Sequence, residues 1–137
     1  MQMIYEFTTK DMSDLLYDDL STIQDNEKVN TEVVLTTPTT ESIFPCRVIE
    51  TPLESTNNSN DGIPIRKTFQ VSIEHWDNEQ RICMEMAQNT DKKLQKRNFT
   101  RTNSSPIIFD QITKKYKFIT TYEVRYNALT NSFSYIR

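Results

Sequence analysis

One histidine, two cysteines and one glycine bound the chemistry open to this 137-residue chain. A nucleophilic triad or a Cys-His pair has to use His75, which adjoins Trp76 at the end of a strand-like run, where a histidine ordinarily serves packing. Zinc would have to draw on His75, Cys46, Cys83 and carboxylates, with no ligand spacing to support it. The two cysteines read as free, reduced thiols, a Cys46–Cys83 disulfide being the minor alternative. With Gly62 as the only glycine there is no glycine-rich phosphate loop or dinucleotide fingerprint. Carboxylates are plentiful, but none are paired for general acid and base duty. The expectation is a protein that is not an enzyme, with no catalytic residue, metal or cofactor.

Charge is more informative in its distribution than in its sum of −3. Residues 1–50 hold ten acidic and three basic side chains, a net of −7, and the remainder holds nine and thirteen, a net of +4. Asp11, Asp14 and Asp18 fall on one face of the first helix-like segment, and Lys92, Lys93, Lys96, Arg97 and Arg101 crowd the end of the second. These are candidate subunit-interface or channel-lining charges, able to steer copies into one register, or else two solvated faces that differ. Phe99, Phe109 and Tyr116 interleave with the basic residues of 92–117, as a nucleic-acid groove requires. The aromatics take core positions, however, and a lysine-rich helix end is ordinary dipole complementarity. The N-terminus has no basic run followed by an apolar core, and nowhere do eighteen apolar residues run together, so neither secretion nor membrane insertion is expected.

The elements that must position these residues follow from periodicity. Thr8 and Asp11 form a capping-box-like start to a helix whose stripe is Met12, Leu15, Leu16, Leu20 and Ile23. Residues 25–40 read as a polar connector with an edge strand at most, because Pro38 excludes a central one. Phe44 to Glu50 alternates as a short strand. Residues 53–64 form the most loop-like stretch, and Glu54, Ser55, Thr56, Asn57, Asn58, Ser59, Asn60, Asp61 and Gly62 are candidates for a projecting contact loop. Arg66 to Trp76 alternates cleanly, with Phe69, Val71 and Ile73 on one face. Asp77, with Gln80 three residues on, is expected to cap a second helix with Ile82, Cys83, Met86, Ala87 and Leu94 inward. Phe99 to Ile108 and Lys115 to Tyr126 then pair around residues 110–113, and residues 127–137 form a tail with a short final strand. The sum is one α+β domain over 1–137: an antiparallel sheet of about four strands, two helices packed on it, and a long loop between the first two strands.

Two stretches carry a family resemblance. Leu94-Gln95-Lys96-Arg97-Asn98-Phe99-Thr100-Arg101, followed by Ser104-Ser105-Pro106, and Phe44-Pro45-Cys46-Arg47-Val48-Ile49 upstream, resemble the tail terminator, or tail completion, proteins of long-tailed bacteriophages. Asn98 stands where many relatives have Gly, and Asn is the next-best residue for a left-handed helix end. The resemblance implies a virion structural protein made in the host bacterial cytoplasm. Such a protein forms a homo-hexameric ring at the head-proximal end of the tail tube, ends tube polymerisation and joins the tail to the neck. Implied partners are other copies of itself, the tail tube protein and a neck or head-completion protein, with DNA passing through unread and no membrane involved. The alternatives are a neck or head-completion adaptor of the same virion and, in another class, a small host-directed regulator that binds protein or nucleic acid.

Overall fold

A computed structural model describes residues 5–25, 32–58 and 64–135. In chain order the elements are α1 (Thr9–Leu20), β1 (Glu32–Val34), β2 (Cys46–Ile49), β3 (Leu53–Asn58), β4 (Pro64–Asp77), α2 (Gln80–Gln95), β5 (Thr100–Ser104), β6 (Ile108–Asp110), β7 (Lys115–Asn127) and β8 (Ser132–Ser134). The α+β character agrees with the sequence, but the sheet does not. Eight strands, not about four, form one mixed sheet, and β1 runs parallel to β2. The first part of the expected long loop is a strand instead, Leu53–Asn58 pairing antiparallel with β4 from Gln70 back to Pro64, and its residues 59–63 lie outside the described residues.

Two long strands organise the rest. The antiparallel pair β4 and β7 runs in register from Arg66↔Asn127 to Asp77↔Tyr116. One outer edge of this pair carries β3 and β2 end to end, with β1 beyond β2, and the other carries β6, β5 and β8 along β7. The single strand expected over Phe99 to Ile108 is therefore two. A register shift between Arg101 and Asn103, then Pro106, interrupts the ladder, and Ser105 bridges the gap with bonds to the Ile119 backbone of 2.8 and 3.0 Å.

Both helices cover the same sheet face. Its residues include Phe69, Val71 and Ile73 of β4 and Tyr122, Val124 and Tyr126 of β7, all buried against Met12, Leu16 and Leu20 of α1 and Leu94 of α2. Each apolar side chain so buried stabilises the fold by about 1.5–3 kcal/mol. Helix α1 starts with the expected capping box, Thr8 and Asp11 bonding reciprocally at 2.8 and 3.1 Å. Helix α2 does not start as the sequence suggests. Asp77 still belongs to β4 and accepts from the Glu79 N–H at 3.1 Å, a turn rather than a cap on Gln80.

Helix α2 ends with Phe99 N–H bonding to the Leu94 carbonyl at 3.2 Å and Asn98 N–H to that of Gln95 at 3.0 Å, with Leu94 and Phe99 both buried. This is the closure that needs a left-handed residue, and Asn98 has φ of 69°. Its side chain also donates to the Phe133 carbonyl at 2.9 Å, tying the helix end to β8. Asn98→Ala loses both contributions and is expected to destabilise by about 2 kcal/mol in urea unfolding. Asn98→Gly keeps the conformation and should lose about half as much.

Candidate functional site

The residues able to do chemistry are buried. Arg47 of β2 and His75 of β4 are directly paired in the ladder, fully buried and facing the helices. The Arg47 guanidinium clasps the Asp25 carboxylate at 2.6 and 2.7 Å, and Asn89 adds a third bond to that carboxylate at 3.0 Å. Arg47 also donates through Nε to the Thr90 hydroxyl and through Nη2 to the Met86 carbonyl, both at 2.8 Å.

The carbonyl of Phe118 lies 2.9 Å from Nδ1 of His75 and can only accept, so Nδ1 carries the proton. Nε2 is then an acceptor, and the Thr90 hydroxyl 2.8 Å away donates to it. Burial first, then the charge of Arg47, pushes the histidine down to about 3, keeping the imidazole neutral. Cys46 and Cys83 are free and buried, and burial pushes both thiols up to about 12.

A second network joins α2 to the sheet. Tyr122 donates to Asp91, which Arg101 holds at 3.0 and 2.8 Å while lying 5.9 Å over the Phe118 ring. Burial, then the bond to Asp91, raises the Tyr122 phenol.

The surface charges singled out from sequence are dispersed by the fold. Asp11 caps α1, Asp14 pairs with Lys10 at 2.9 Å, and Asp18 is exposed. Arg97 pairs within the chain with Asp19, which the spacing did not single out, and Arg101 with Asp91. Lys92 on α2 and Lys96 at its C-cap are exposed, and Lys93 is half-buried. The basic stretch 92–117 is split. Lys115 bonds to Asn78 just before α2 begins, whereas Lys92 and Lys96 sit twelve and sixteen residues beyond Gln80, roughly 18–24 Å along the axis. Of the expected contact loop, residues 54–58 are strand β3, with Glu54 bridged to Lys67 at 3.1 Å, and Ser59, Asn60, Asp61 and Gly62 lie outside the described residues.

Two solvent-facing features remain. The first is the sheet face opposite the helices, where Thr68, Gln70, Ser72 and Glu74 of β4 adjoin Arg125, Glu123, Thr121 and Ile119 of β7. Among the described residues no helix covers it. Glu50 and Glu74 meet there, and partial burial followed by the Glu74 charge raises the Glu50 carboxyl. At one end the face is closed by Trp76, which donates to Glu74 at 2.8 Å, has Lys117 5.3 Å over its ring, and packs with Cys46, Val48 and Phe44. The second is the β6–β7 turn, with Ile108, Phe109 and Ile112 exposed. No family model matches the chain, and no curated protein sequence matches it.

Proposed function

We propose that this protein is a phage tail terminator, a structural subunit that closes the head-proximal end of the tail tube as a ring, ends tube polymerisation and joins the tail to the neck. The six-fold ring, the tube protein and the neck protein as partners are expectations carried from the resemblance.

The observation that carries the reading is the uncovered sheet face. Glu32, Glu50, Glu74 and Glu123 lie on or beside it among Arg66, Lys115, Lys117 and Arg125, so it is polar with carboxylates and cations interspersed. A ring built with this face inward sets carboxylates between its cations, leaving no continuous basic track to hold the phosphate backbone, which suits DNA passing through.

The test is negative-stain imaging of tails assembled with and without the protein. Tails of defined length carrying an extra ring at one end only when the protein is present are the expected result. Unchanged tails overturn the proposal, and attachment to DNA-filled heads instead would point to a neck adaptor.

A further inference from the structure

On the open sheet face the backbone sets two carboxyl groups together. Strand β2 ends with Ile49 opposite Ile73, and pairing resumes with Leu53 opposite Gln70, so Glu50, Thr51 and Pro52 stand against Ser72 and Val71 alone. One residue is extra, a bulge of the kind that re-aims a side chain. Glu50 is still tied to β4, its N–H donating to the Ser72 carbonyl at 3.1 Å. This places Glu50 diagonal to Glu74 across the two strands, within reach of a side chain of that length, and the two carboxyl groups are hydrogen-bonded. Two ionised carboxylates have no donor between them, so that bond requires a proton.

The surroundings favour keeping it. Glu74 is flanked on the neighbouring strands by Val48 and Ile119, and it accepts from the indole Nε1–H of buried Trp76 at 2.8 Å. The charged groups that act on Glu50 are Glu74 of β4, which opposes its ionisation, and Lys117 of β7, which favours it from beside the Trp76 ring. On the far side β1 sets only the apolar Val34 beside Val48. Partial burial and the Glu74 charge outweigh the single lysine, so Glu50 is the member that holds the proton.

We propose that Glu50 and Glu74 hold one proton between them as a pH-operated clasp at the β2–β3 bulge, closed when Glu50 donates to the Glu74 carboxylate and open when both are ionised. The clasp is independent of the ring reading above. The folded pair keeps a proton that the unfolded chain gives up near the ordinary glutamate value of about 4.3. Its contribution to stability is therefore complete below that value and is lost as pH rises through the pair's own titration. Opening adds one negative charge to the sheet face and leaves the bulge tied to β4 by its backbone alone.

Trp76 is the only tryptophan, so a single indole N–H resonance reports the state of Glu74. His75 beside it stays neutral down to about 3 and adds no step at higher pH. The isotope-labelled chain is titrated by NMR from about pH 4.5 to 8, as wild type and as Glu50→Gln, whose amide donates at every pH. The expected result is one sigmoidal shift of the wild-type indole peak, with its midpoint above about 4.3, and a Glu50→Gln peak that stays in place throughout. The remaining amide peaks show that the variant is folded. A wild-type indole peak that does not move, or a step of the same midpoint in Glu50→Gln, overturns the clasp.

Discussion

Arg47→Met is expected to destabilise the protein by about 3–5 kcal/mol, lowering the midpoint of thermal unfolding by roughly 10–20 °C. The guanidinium is completely buried, and the Asp25 side chain is only 7% exposed. Removing the cation leaves a desolvated carboxylate facing an apolar thioether, and it takes away the Nε donor that the Thr90 hydroxyl accepts. Asp25→Leu alone should cost a similar amount for the converse reason. The double variant Arg47→Met/Asp25→Leu should recover much of the loss, because a buried ion pair contributes little net stability over a packed apolar pair. Thermal and urea unfolding of the three variants reads the cycle. Single losses under about 1 kcal/mol would mean that water reaches the pair and that it does not hold the 25–47 crossing.

His75 predicts a distinct pH dependence. The unfolded chain binds a proton near the ordinary histidine value of about 6.5, whereas the folded chain resists protonation down to about 3. Between these values the unfolded state holds more protons, so stability is complete above the upper value and falls as pH drops through the window. The slope is about 1.4 kcal/mol per pH unit for one site. The groups that set it are Arg47 on β2 and Arg101 on β5, which oppose protonation, and Asp25, which favours it. Urea unfolding of wild type and His75→Gln at pH 7, 6, 5 and 4 isolates the effect from carboxylate titration. The stability difference between the two proteins should shrink at that rate below about 6.5. A difference independent of pH would show that the imidazole is charged or hydrated in the folded protein.

The strongly periodic elements were legible. The alternation of Phe69, Val71 and Ile73, the run from Tyr116 to Tyr126 and the α1 stripe each describe a face that the fold buries or turns to water. Leu53-Glu54-Ser55-Thr56-Asn57-Asn58 was not legible as a strand. Its composition is that of a loop, and it is extended because the first half of β4 offers an unpaired backbone beside it, a case of tertiary context overriding propensity. The edge strand that the threonine-rich connector allowed is β1, at the outer end of the strand order.

Charged residues were legible as types and not as partners. Arg97 pairs with Asp19, and Arg47 with Asp25, across separations in sequence that no local pattern encodes. One signal was available for Arg47. A single cation inside Cys46-Arg47-Val48-Ile49, in a strand buried on both faces, calls for a buried anion.

The edges of the β4–β7 pair are assembled from short pieces, three along β7 and two along β4, none longer than six residues. A long, regular edge is a template on which a foreign strand can zip up, and it is the usual route to aggregated β-rich protein. Breaking the edge at Pro106 and at the shift between Arg101 and Asn103 gives an invading strand no continuous ladder to copy. The chain can then stay dispersed while concentrated, without strand-to-strand growth into fibres.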